Sequence, residues 1–241
     1  MICYFAYFSL LAAPSARISA PDLERVAEVV DAIPGLVKGL VHTPTGSDTP
    51  HPFANDGPAP ALALQLYFDG VEALEAAARS DGHLQDLARA GALPSLDGAI
   101  VTQQAMIVRR FPVDDPVFAT PPAERACSHL VHYPGAADDL NAWHAHYIDH
   151  HPVIMRRFPG VRQIEIYTRL DWCGCLPWPR VDYMQRNKLV FDTPAALSTA
   201  LFSAVFQDMR ADFHVFPTFT GGNVHFPMQT LVIQPRGTAR R

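Results

Sequence analysis

Cysteine is scarce. The 241 residues hold four, Cys3, Cys127, Cys173 and Cys175. A disulfide framework needs denser cysteine in a smaller secreted domain, so the expectation is free thiols in a reducing, cytoplasmic setting. Cys173-Gly174-Cys175 is the one close pair, and a single CxC without a second pair gives little support to a metal. Charged residues make up 18% of the chain, with a net charge of −5. The one basic cluster is the tail Arg236–Arg241, three arginines with no aromatic among them. A nucleic acid demands a broad cationic footprint, so no nucleic-acid partner is expected. No apolar run approaches the roughly 20 residues that cross a bilayer, and no membrane partner is expected either. Gly-x-Ser-x-Gly, a phosphate loop and a dinucleotide fingerprint are all missing. Acid–base work is the chemistry left.

What is present is a chain that repeats itself. "LQLYFDGVEALEAAARS" (64–80) lies over "NKLVFDTPAALSTALFS" (187–203), which sets Phe68 on Phe191. Pro34-Gly35 falls on Pro159-Gly160, Val108 on Val232 and Cys3 on Cys127, in the same order. All four separations fall within one residue of 124. A fixed spacing of landmarks is the signature of an internal duplication. The segment 111–126, rich in proline and charge, reads as the connection. The apolar N-terminus resembles a secretory segment, yet the repeat gives residues 2–10 the place of a core strand. They are expected to be retained.

Each half reads β-α-β-β-α-β. "CSHLVHY" (127–133) and "VRQIEIYTRL" (161–170) alternate as strands do, and Thr193-Pro194 opens a helix expected to run unbroken to Phe213. This order is the split βαβ of ferredoxin-like folds. The fold class expected is α+β, two tandem ferredoxin-like repeats pairing within one chain as an α+β barrel. Residues 1–112 form the first repeat and 125–235 the second. Long insertions follow the second strand of each half, at 43–60 and 171–182. Such loops are often lids over a site, and Trp172 marks the second as a candidate substrate contact.

Histidine is distributed unevenly: eight of the 11 follow residue 126, and His144, His146, His150 and His151 crowd one helical segment. At 100° per residue, Leu140, Trp143, Tyr147, Ile154 and Phe158 form the buried stripe. His144 and His151 lie on one shoulder with Tyr147 between them, His150 lies on the other, and His146 points toward the polar face. His129 and His132 sit on the next strand and differ by an odd number, so one of them faces this helix. His225 opens the final strand. The candidate catalytic residues are therefore His144, Tyr147, His150 and His151. Candidate substrate contacts are Trp143, His129, His132, His225 and Trp172. A metal held by His146 and His150 with a strand histidine is an open alternative, as is haem; no metal is assigned.

The segment "AWHAHYIDHHPVIMRRFPGVRQIEIY" resembles the EthD family of dimeric α+β barrel proteins. Trp143, Tyr147, a histidine, Pro152, the apolar Val153-Ile154 and Pro159-Gly160 carry the likeness. Counting from the proline selects His150 as the family histidine; counting back from Pro159-Gly160 selects His151. The first half has no histidine there, which marks it as a scaffold. The resemblance implies small-molecule chemistry without a cofactor. The expected function is an isomerase, lyase or cyclase acting on an aromatic-derived, lactone or polyketide-like substrate. The alternatives are a non-catalytic binding or accessory protein, or a metal- or haem-dependent enzyme of the same superfamily. Two such tandem chains could further pair as a homodimer.

Overall fold

The structure, a computed structural model, describes residues 1–46, 51–53, 56–119 and 126–235. Parts of the first insertion and of the connection, and the arginine tail, lie outside the described residues. Ahead of the connection come β1 (Ile2–Ser9), α1 (Ala20–Asp31), β2 (Leu36–Pro44), β3 (Leu62–Phe68), α2 (Val71–Ala78), α3 (Gln85–Ala88) and β4 (Ile100–Phe111). After it come β5 (Ala126–Tyr133), α4 (Leu140–Met155), β6 (Val161–Arg169), β7 (Gln185–Phe191), α5 (Pro194–Leu201), α6 (Ala204–Phe213) and β8 (Val224–Ile233).

The eight strands close an antiparallel barrel in the order β1-β3-β2-β8-β5-β7-β6-β4. Two seams join the halves, β2 against β8 and β4 against β6. The halves share local irregularities. The bulge between Leu36 and Lys38 has its counterpart between Val161 and Gln163. Gly35 and Gly160, the glycines of the two Pro-Gly turns, both have positive φ, at 75° and 74°, a conformation that costs a side chain about 1 kcal/mol or more.

Alternation along each strand sorts the core into layers. On β5, Cys127, Val131 and Tyr133 point outward into an apolar cluster under the second-half helices. Leu130 points inward, where it meets Cys3, Phe5, Tyr67, Tyr167 and Met228. A third cluster lies under α1 and α2. The barrel interior is also polar. The Lys188 Nζ lies 2.8 Å from Glu165 Oε2, and both side chains are fully buried. The hydroxyls of Tyr67 and Tyr167 donate to the same carboxylate oxygen at 2.6 and 2.7 Å. Among the described residues no helix is long and apolar enough to cross a membrane.

The helix expected from Pro194 to Phe213 is broken in two. Phe202 has φ −103° and ψ 8°, and Ser203 turns extended as the cap of α6. The Ser203 hydroxyl donates back to the Ala200 carbonyl at 2.7 Å, offering the chain an alternative to helical bonding. The break turns α6 across α4, and this crossing shapes the site.

Candidate functional site

A cavity of about 330 Å³ lies between the outer face of the second-half sheet and helices α4, α5 and α6. Its walls are mainly apolar, with Val131, Leu189, Phe191, Leu197, Phe206 and Phe213 among them. That volume sits at the small end of ligand pockets. Four histidines line it: His129 from β5, His151 from α4, His225 from β8 and His214 at the C-terminal cap of α6.

His151 comes to the wall because α4 continues through Pro152 to Met155, capped at its start by Asp139, whose side chain accepts from Ala142 N–H at 2.9 Å. Its Nδ1 lies 2.6 Å from Asp212 Oδ2 on α6. A carboxylate there holds the proton on Nδ1 and leaves Nε2 as the basic nitrogen. Burial lowers the pKa of His151, and Asp212 opposes that shift. Burial alone would raise the Asp212 carboxyl, but the hydrogen bond and charge of His151 outweigh it and lower its pKa. His225 repeats the arrangement: its Nδ1 lies 2.6 Å from Asp56 Oδ2, and its backbone N–H donates to the same oxygen at 2.8 Å. Burial lowers its pKa too, again opposed by the carboxylate. His129 lies between these elements, its ring 5.4 Å from that of His225, with its pKa pushed well below the usual value by burial and by His225 and His51.

Tyr147 sits one layer behind the wall. It is fully buried, stacks on Trp143 at 5.1 Å, and its hydroxyl accepts from Asn187 Nδ2 at 2.5 Å. Asn187 itself lines the cavity. Burial, together with Tyr133, keeps the Tyr147 hydroxyl protonated, with its pKa well above the ordinary value. Trp143 is core, packed among Tyr133, Tyr147 and Phe216.

Other candidates from the sequence lie elsewhere. His150 is exposed; its ring stacks on His146 at 4.5 Å and its Nδ1–H donates to the His146 carbonyl at 2.8 Å. His144, about two turns before His151 on α4, is half-buried outside the cavity lining, and burial and then Arg109 lower its pKa. His146 does not face solvent as the helical wheel implies. Its Nε2 lies 3.3 Å from Asp212 Oδ1, and Phe216 packs against its ring, because α6 covers that face of α4. His132 points into the barrel, where its Nε2 accepts from Arg186 Nη1 at 2.8 Å. Trp172 packs edge-on to Tyr4 at 5.5 Å, with the Arg180 guanidinium over it at 4.1 Å. The 171–182 loop therefore closes over the first-half core, away from the cavity.

Sequence reasoning missed Asp212, Asp56, Phe53 and Asn187. Asn187 carried a signal: it is a polar residue on the outward, otherwise apolar register of Leu189 and Phe191. The two aspartates carried none, since each acts across a fold contact far from its histidine in the chain.

No protein-family profile matches the chain, and no curated protein matches it. Solved structures do. An anthrone oxidase-like protein aligns with TM-score 0.58 and 11% identity over 96% of this chain and 92% of its own. A provisionally named monooxygenase of Fusobacterium nucleatum aligns with TM-score 0.53 and 9% identity, over 98% and 94%. Another, from Lactobacillus acidophilus, aligns with TM-score 0.51 and 9% identity, over 97% and 96%. These neighbours are dimeric α+β barrel proteins, and at such identities the likeness is one of fold.

Proposed function

We propose that the chain is a tandem, EthD-like member of this superfamily, its halves two ferredoxin-like repeats, and that the second-half cavity is the active site of a cofactor-independent enzyme. The shared bulges and Pro-Gly turns support the duplication. The reaction is acid–base chemistry of the isomerase, lyase or cyclase kind on a small aromatic-derived, lactone or polyketide-like molecule. The structural neighbours, named as an anthrone oxidase-like protein and as monooxygenases, agree with a small-molecule enzyme.

The observation that carries this reading is His151 Nδ1 held at 2.6 Å by Asp212 on the wall of a largely apolar cavity. Burial keeps His151 neutral at pH 7, so its base form is the populated one. Nε2 takes the proton from a carbon next to a carbonyl, and the electron pair moves onto the carbonyl oxygen as an enolate. Asp212 stabilises the imidazolium as it forms, and His151 then returns the proton. Tyr147 fixes Asn187 rather than touching the ligand. Of the two candidates for the family histidine, this selects His151.

Hydrogen–deuterium exchange into a panel of lactones and hydroxyaryl ketones, followed by NMR, tests the assignment. His151→Gln and Asp212→Asn are each expected to slow exchange about 10²- to 10⁴-fold, while His150→Ala stays within a few-fold. Exchange at the wild-type rate in His151→Gln would refute it, as would a wild-type protein inert to the whole panel.

A further inference from the structure

The cavity is not built by the second half alone. Pro52, Phe53 and Asp56, from the first-half insertion, form part of its wall. The Phe53 ring stacks on His225 at 3.6 Å between ring centres, lies 5.4 Å from His129 and meets Phe206 of α6 edge-on at 5.7 Å. Asp56 accepts from both the backbone and the ring of His225. The first half therefore sets the position and the tautomer of a histidine in the second.

Two polar atoms in the wall lack a protein partner. His129 Nδ1 and Asn187 Oδ1 are buried without a hydrogen bond, in residues 4% and 2% exposed. Buried polar atoms are nearly always satisfied, so these two point to a ligand. Asn187 donates through Nδ2 to Tyr147, which leaves Oδ1 to accept. With Nδ1 of His225 committed to Asp56, its Nε2 also accepts. Asn187 Oδ1 and His225 Nε2 are acceptors and call for a ligand that donates; His129 Nδ1 joins them when its proton is on Nε2. The charges also discriminate. Asp56 lines the cavity and Asp212 stands behind its His151, while exposed Arg210 is the one lysine or arginine lining it among the described residues. An anion would stand near two carboxylates for one cation. The aromatic and aliphatic walls favour a flat apolar body.

We propose that His225, seated by Asp56 and Phe53 of the first half, is a ligand-contacting residue of this site, and that with His129 and Asn187 it selects a neutral, hydroxyl-bearing aromatic molecule. This rests on the cavity being the binding site, and not on the proton chemistry assigned to His151.

Binding of three probes decides it: 2-naphthol, its methyl ether 2-methoxynaphthalene, and 2-naphthoate. Wild-type protein is expected to bind 2-naphthol roughly tenfold more tightly than the ether, the worth of about one hydrogen bond, and more tightly than the anion. His225→Leu and Asp56→Ala should erase the preference over the ether, and Asp56→Asn, which keeps an acceptor for Nδ1, should restore much of it. His151→Gln should retain it, so loss of catalysis and loss of selection are separately visible. Equal binding of the three probes by wild type would overturn the proposal, even where a variant fails to fold. So would a preference that survives both His225→Leu and Asp56→Ala.

Discussion

Acid should unfold this protein early, and three buried histidines drive the effect. His42 lies inside the barrel, with Nδ1 at 2.9 Å from Thr230 Oγ1 and Nε2 at 2.8 Å from Gln65 Oε1. Burial, with Lys188 and Lys38 nearby, lowers its pKa to about 3. His129 and His132 are lowered well below the usual value, chiefly by burial, the first also by His225 and His51 and the second also by Arg186 and His225. A histidine kept neutral in the fold binds no proton there but gains one on unfolding below about pH 6.5. Their neutral burial therefore costs nothing above that pH and destabilises increasingly as pH falls toward the folded pKa. His42 withdraws roughly 2.5–3 kcal/mol by about pH 4.5, and His129 and His132 act in the same direction. A domain has about 5–15 kcal/mol in total. Urea unfolding followed by tryptophan fluorescence should show stability falling by at least about 1 kcal/mol per pH unit near pH 5. His42→Gln should reduce that slope by about 1 kcal/mol per pH unit, whatever it does to stability at neutral pH. A stability that changes by less than about 1 kcal/mol between pH 7 and pH 5 would refute the reasoning.

Two further outcomes are expected. Glu165→Gln should cost about 3–5 kcal/mol in the same unfolding assay, because it leaves the buried Lys188 without its carboxylate. Replacing the pair together, Glu165→Leu with Lys188→Met, should recover part of that loss, the Tyr67 and Tyr167 hydroxyls still lacking the carboxylate they donate to. Gly135→Ala should cost at least about 1–3 kcal/mol, read as a lower melting temperature, because its Cβ would fall 1.9 Å from the Thr220 carbonyl oxygen and force two loops apart.

The features visible in the sequence were those set by local periodicity. Strand alternation placed His129 and His132 on opposite faces, and the helical period put Trp143, Tyr147 and His151 on the buried side of α4. The Pro-Gly pairs marked two turns with positive φ. A wheel drawn for one helix knows nothing of its neighbour, so it sent His146 to solvent, where α6 in fact covers it. The break at Phe202 and Ser203 was hidden because helix formers on both sides, alanine and leucine before it and alanine, glutamine, methionine and arginine after it, suit a continuous helix equally well. The Asp56 contact was hidden because 169 positions separate it from His225. Aromatic residues in the 171–182 loop suggested a cover for the site, but the nearest apolar surface to cover was the first-half core.

The seam between β2 and β8 has a consequence for how the chain is made. Pro44 finds its partner in Met228. At a ribosomal rate of about 5–20 residues per second, β2 is synthesised roughly 10–40 s before the strand that covers its edge. Through that interval it presents unpaired backbone groups to any other nascent strand. The first half is thus an open template during translation, and the barrel's freedom from exposed edges is acquired only when synthesis reaches β8.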